Sequence, residues 1–271
     1  MEELKAFGKD PTCVSPNGEV DKSSDGSKIV ESVKVAIEYA MGKANYEAKS
    51  DKECGFAFTK RDHGASAATG DYGVSAATGY CGVSSATGCC GVSSATRNRG
   101  VSSATGHRGV SSATGDCGVS SATEKHGAAI ATGDCGASAA TGDCGASSAT
   151  GFRGVSSATG DHGASSAIGD CGIAAATGHR GKSSAAGNCG VAATTGYRGA
   201  SSVSDPTGVA VAWGHESKAK GCIGAHLILA DWRFTDVGWK LAGAKIVQVD
   251  GEKIKADEYY RCENGEIVEA K

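Results

Sequence analysis

The sequence predicts an all-β repeat fold: a β-solenoid of seventeen nine-residue units, flanked by an N-terminal helix and a C-terminal β-meander. Three observations predict it. One phrase, GVSSATGDC and its variants, returns without insertion from His63 to His215. Glycine reaches 42 residues against 3 prolines, and it keeps a fixed register instead of scattering. The repeated phrase is built mostly of small side chains, so a single unit cannot bury a face and must stack on its neighbours.

The chain has 271 residues, room for one or two domains. A strict period argues against the disorder that glycine-rich, apolar-poor sequence otherwise suggests. The net charge of −3 predicts no pull on nucleic acid or anionic membrane. No apolar run approaches the ~18 residues of a membrane span, and MEELKAFGKDPTC carries no apolar signal core. The expected location is therefore cytoplasmic or virion-associated, where the twelve cysteines would be free thiols.

Residues 1–62 read as a helical capping region. In KIVESVKVAIEYAMGKA (28–44), Ile29, Val33, Ala36, Ile37, Ala40 and Met41 fall near helical spacing. Ser24 or Ser27 caps its start and Gly42 ends it.

Residues 63–215 form the solenoid. With positions counted one to nine from His63, position two is glycine in all seventeen units, Gly64 to Gly208. Position eight is glycine except at Arg97, Glu124 and Asp205. Five residues such as VSSAT make a strand, and the four between make a turn that glycine lets bend sharply. A helix is a poor alternative, because two glycines per unit together with Ser and Thr cost it several kcal/mol in propensity. Position four is only Ser or Ala, and position six is Ala except at Thr194 and Val203. Positions three, five and seven accept Lys182, Ile130, Ile168, Ile173 and Trp213. Strand side chains alternate sides, so Ser84 and Ala86 and their equivalents are expected inside a thin core. The contrary reading buries Val, Ser and Thr instead. Two units per coil suit so small an interior. Three per coil would stack Cys90, Cys117, Cys144 and Cys171, with Arg99, His126, Arg153 and Arg180 in another column.

Residues 216–271 read as a β cap. HLILADW (226–232) is expected to be a buried strand. Residues 244–270 alternate around Asp250-Gly251 and Asn264-Gly265, as a meander would.

Candidate chemistry is sparse. Cys81, Cys90, Cys117, Cys135, Cys144, Cys171 and Cys189 recur at position one, with His126 and His162 in the same slot. Zinc sites favour short C-x₂₋₄-C pairs, whereas here arginine and tyrosine also occupy the slot, so it reads as a tolerant turn position. Asp71, Asp116, Asp134, Asp143, Asp161 and Asp170 at position nine invite comparison with calcium-binding nonapeptides, but the unit lacks G-G-x-G-x-D. An outward Ser/Thr ladder remains as a binding surface: Thr87, Thr96, Thr105, Thr114, Thr123, Thr132, Thr141, Thr150 and Thr159. Its spacing of about 7 Å by 4.8 Å suits an ice-binding face as well as a docked one. No nucleophile–base arrangement, cofactor or metal site is predicted.

GVAVAWGHESKAKGCIGAH (208–226) resembles the left-handed β-roll heads of trimeric bacterial adhesins, which implies trimers and surface binding. The wider pattern, G-[AV]-S-[SA]-A-T-G-[DN]-x followed by VAVAWGHESKAKG, LILADW and VDGEKIKADEYY, resembles uncharacterised nonapeptide-repeat proteins of gut bacteria and their phages. That group implies a repeat scaffold and no known reaction, and its N-terminal Cys/His segment is not recognisable in residues 1–27. The expected function is a non-enzymatic structural or binding scaffold, phage-encoded and self-associating as a trimer or face-to-face dimer. The alternatives are an adhesin or tail-fibre-like module for a protein or glycan ligand, and an ice- or metal-binding repeat protein.

Overall fold

The computed structural model describes residues 47–51, 54–60 and 62–270. The helix expected over 28–44 lies outside them. The described chain is all-β, a β-solenoid, and it divides into two compact units, one ending at Gly127 and the other beginning at Ala128.

The first unit contributes β1 (Glu47–Ser50), β2 (Phe56–Thr59), β3 (Ala65–Ala68), β4 (Val74–Ala77), β5 (Val83–Thr87), β6 (Val92–Thr96), β7 (Val101–Thr105), β8 (Val110–Thr114) and β9 (Val119–Thr123). Successive strands go to opposite sheets. One sheet has the order β1-β3-β5-β7-β9 and the other β2-β4-β6-β8, both parallel. Ser84 pairs with Ser102 and Ala95 with Ala113, so each coil holds two nine-residue units. The columns expected from three units per coil do not form, because residues eighteen apart are the neighbours.

The second unit contributes β10 (Ala128–Thr132), β11 (Ala137–Thr141), β12 (Ala146–Thr150), β13 (Val155–Thr159), β14 (Ala164–Ile168), β15 (Ile173–Thr177), β16 (Lys182–Ala186), β17 (Val191–Thr194), β18 (Ala200–Val203), β19 (Val209–Ala212), β20 (Lys218–Gly221), β21 (His226–Thr235), β22 (Gly238–Gln248), β23 (Tyr260–Glu263) and β24 (Glu266–Glu269). Its sheets run β11-β13-β15-β17-β19-β21-β22 and β10-β12-β14-β16-β18-β20-β23-β24.

The coil extends past the repeat on both sides. Phe56–Thr59 pairs in parallel with β4, and Lys218–Gly221 with β18, because FAFT and KAKG keep small residues at the two inward positions. Residues 244–270 do not form one meander. β22 closes an antiparallel hairpin with β21 on one sheet, and β23 and β24 form a second hairpin on the other. The Asp250-Gly251 turn therefore crosses between sheets. Asp250 holds it by accepting the amides of Glu252 and Ile254, both at 2.9 Å.

The interior is the one expected from the size limits. Ala68, Ala77, Ala86, Ala95, Ala104, Ala113 and Ala122 at position six are fully buried. The serines at position four are buried beside them and face one another across the two sheets. In the first unit their hydroxyls join into one chain: Ser84 donates to Ser75, Ser93 to Ser84, Ser102 to Ser93, Ser111 to Ser102 and Ser120 to Ser111, each at 2.9 Å. This explains the Ser/Ala limit. Oxygens 2.9 Å apart leave no room for a larger side chain, and a buried hydroxyl needs its partner. In the second unit Ser138, Ser147, Ser156 and Ser165 repeat the chain, but alanine stands at 174, 192 and 210. The hydroxyls of Ser183 and Ser201 between them are buried without a hydrogen-bond partner. The last coils change to a bulkier core of Leu227, Leu229, Val249, Ile254 and Tyr260.

The turns explain the glycines. The amide of Gly109 bonds the carbonyl of Gly106 at 3.1 Å, closing a four-residue turn whose third residue, Arg108, has φ of 61°. A β-carbon on Gly109 would lie 3.1 Å from that of Ala104. Gly106 has φ of 130°, and a β-carbon there would meet the Gly88 carbonyl oxygen at 2.3 Å.

Candidate functional site

The repeats offer two kinds of surface, the outward strand faces and the turn edges. On the faces, positions three, five and seven point to solvent. In the first unit Val83, Val101 and Val119 stand in register on one sheet, 44%, 39% and 43% exposed. Thr87, Thr105 and Thr123 form the matching column, with Thr96 and Thr114 on the other sheet. In the second unit Thr141 pairs with Thr159, and Thr132 with Thr150. All nine threonines named above thus lie on outward faces at strand ends, divided between two sheets in each unit. The Thr87 hydroxyl donates back to the Ala68 carbonyl at 3.5 Å, as Thr69 and Thr78 do to Ser50 and Thr59.

The two faces of the second unit differ chemically. One carries Val155, Ile173, Val191 and Val209 in a single column at position three. The equivalent column on the other runs Ala146, Ala164, Lys182, Ala200, Lys218.

At the turn edges, the position-nine carboxylates bind the chain to itself. Asp71 accepts the amide of Cys89 at 2.7 Å, Asp134 that of Phe152 at 3.0 Å, Asp161 that of His179 at 2.9 Å and Asp170 that of Asn188 at 3.0 Å. Each reaches one coil onward, to a residue eighteen further along. Aspartate at this position thus serves as an amide acceptor between coils. Position one is left-handed in every unit but the last, where Thr207 stands, with φ of 57° at Cys171 and 60° at His126. Such a backbone costs an ordinary residue roughly 1–2 kcal/mol. The cysteines there are partly or fully exposed free thiols. Cys54 is disulfide-bonded, contrary to the expectation that every thiol is free. Cys89 and Cys90 bring their sulfurs to 3.5 Å, and that hydrogen bond pushes the Cys89 thiol above its ordinary pKa. Among the described residues no three His, Cys, Asp or Glu side chains come together as metal ligands would.

One arrangement was not anticipated. His179, Tyr197 and His215, each eighteen residues from the next, stack along a turn edge of the second unit with ring centroids 5.1 and 5.3 Å apart. Trp239 from the β21–β22 hairpin lies against His215 at 3.5 Å, and Phe234 packs edge-on to Trp239 at 5.3 Å. Arg198 lies 4.9 Å over Tyr197 and pairs with Glu216 at 2.6 Å. The Arg198 hydrogen bond holds Glu216 below the usual carboxylate range and raises Arg198 in turn. The eighteen-residue spacing was the available signal, and it is readable only once two units per coil are known.

Comparison with family models, curated proteins and solved structures finds no match to the chain.

Proposed function

We propose that the protein is a non-enzymatic β-solenoid scaffold, phage-encoded, that associates with copies of itself through its flat outward faces. The hairpins at the C-terminal end act as a cap over the last coils. One observation carries this reading. The outward columns repeat the same side chains in strict register, Val83–Val101–Val119 beside Thr87–Thr105–Thr123, so one strand's complementarity to a partner recurs at every coil. Exposed β-branched residues on a flat sheet are the kind of surface that a second sheet covers. Light scattering on the purified protein tests it. A dimer or larger assembly supports it, and Val101→Lys should return that assembly towards a monomer. A monomer at all concentrations up to about 100 μM, the weak end of specific association, overturns it.

A further inference from the structure

The outward face of β14, β16 and β18 is not flat throughout. It holds an open cavity of about 410 Å³, within the range of small-ligand sites. The sequence makes the hollow. Lys182 stands in register between Ala164 on one neighbouring strand and Ala200 on the other, so its long stem rises beside two methyl groups. Ser166, Ser184 and Ser202 line the adjacent row of the floor. Tyr259, just ahead of β23, folds back to form a wall.

The chemistry of the lining is one-sided. It contains an ammonium group, serine hydroxyls and a phenol, and no carboxylate. Two further ammonium groups lie against the tyrosine wall, Lys218 at 4.7 Å and Lys220 at 5.3 Å from the ring centroid. Burial raises the Tyr259 phenol above its ordinary pKa, which keeps it a neutral donor. Lys182 forms no ion pair among the described residues. A cation facing a row of hydroxyls suits a ligand that presents an anionic group together with hydroxyls of its own.

We propose that this cavity is a binding site for a small hydroxylated ligand bearing one oxyanion, a carboxylate or a phosphate on a sugar-sized body, with Lys182 taking the anion and Ser184, Ser202 and Tyr259 its hydroxyls. The site goes beyond the scaffold reading, which is argued from the columns on β5, β7 and β9 of the first unit. It is tested by calorimetric titration of the full chain with glucuronate, glucose 6-phosphate, inorganic phosphate and glucose. Glucuronate or glucose 6-phosphate should bind at least tenfold more tightly than glucose and than inorganic phosphate, and the stronger of the two names the anion. Lys182→Ala should weaken that binding roughly tenfold, as loss of a charge-assisted contact does. Lys182→Arg should keep it, and Lys240→Ala, outside the cavity, should leave it unchanged. Equal binding of all four compounds, binding of none, or equal effects of Lys182→Ala and Lys240→Ala in variants with unaltered dichroism would overturn the assignment. The assembly mass is read separately, by light scattering on the parent protein, so the two proposals fail independently.

Discussion

Ser102 donates its hydroxyl proton to Ser93 at 2.9 Å and receives that of Ser111 at the same distance, with both partners on the sheet opposite its own. Ser102 is thus both donor and acceptor, as are Ser84, Ser93 and Ser111. The two sheets are joined by a polar chain flanked by alanine methyls.

Ser102→Ala removes one link and leaves the Ser111 proton without its acceptor. A buried hydrogen bond is worth about 1 kcal/mol, and an orphaned buried donor costs about 1–3 kcal/mol. The variant should lose about 2 kcal/mol, seen as a lower midpoint in denaturant unfolding at unchanged slope. Ser183→Ala should do the reverse. Its hydroxyl is buried with no partner, so its removal should raise stability by about 1 kcal/mol. Equal losses in the two variants would mean that the chain of hydroxyls contributes nothing specific.

Ala113→Leu places three more carbons where the interior has no space, since Ala113 is fully buried. Overpacking of this kind costs about 1–3 kcal/mol or more. Ser112→Leu, one residue away on the outward face, should stay within about 0.5 kcal/mol of the parent. A thermal melt of both variants separates the two positions.

Arg97 sits at φ of 87° at a position that is glycine in most units. Arg97→Gly relieves that backbone and should stabilise by about 1 kcal/mol. Gly106→Ala should be among the most damaging single-methyl changes in the chain, because the added carbon meets a carbonyl oxygen of the coil below at 2.3 Å. Chemical unfolding of each variant reads both effects.

Acid should loosen particular turns first. Asp250 is held below its ordinary pKa by the amides of Ile254 and Glu252, Asp205 by the hydroxyl and amide of Thr207, and Glu216 by Arg198. A depressed folded-state pKa contributes stability above the unfolded value, near 4, and that contribution disappears as pH falls through the folded value. Stability should therefore be flat from pH 7 to about 5 and decline below about 4. Asp250→Asn should be less stable at neutral pH and show a shallower acid decline. A decline in the variant as steep as in the parent would remove Asp250 from the account.

Much of the coil was legible from size limits alone. Position four admits only Ser or Ala, and that restriction reports the distance across the interior, confirmed by the burial of Ser84 and Ala86. The hydroxyl chain was less visible, because Ser and Ala look interchangeable until the partner nine residues away is known. The hairpins misled the reading for a physical reason. Residues 244–270 alternate in sequence as one meander would, yet the Asp250 turn carries the chain from one sheet to the other. At the surface, the cavity beside Lys182 was hidden because its wall, Tyr259, is 77 residues away in the chain. The threonine columns were visible as a ladder, and two units per coil already implied their division between two sheets.

Because successive units alternate between sheets, this chain has a parity. Lys182 and Lys218 share a face since they are thirty-six residues apart, two whole coils. Excising residues 189–206, a full coil, would bring them to adjacent rungs on that face. Excising only 189–197 would send Lys218 and everything after it to the reverse side, while each unit kept its own nine residues intact. Length can thus drift by eighteen without scrambling what the surface displays, and a slip of nine inverts it.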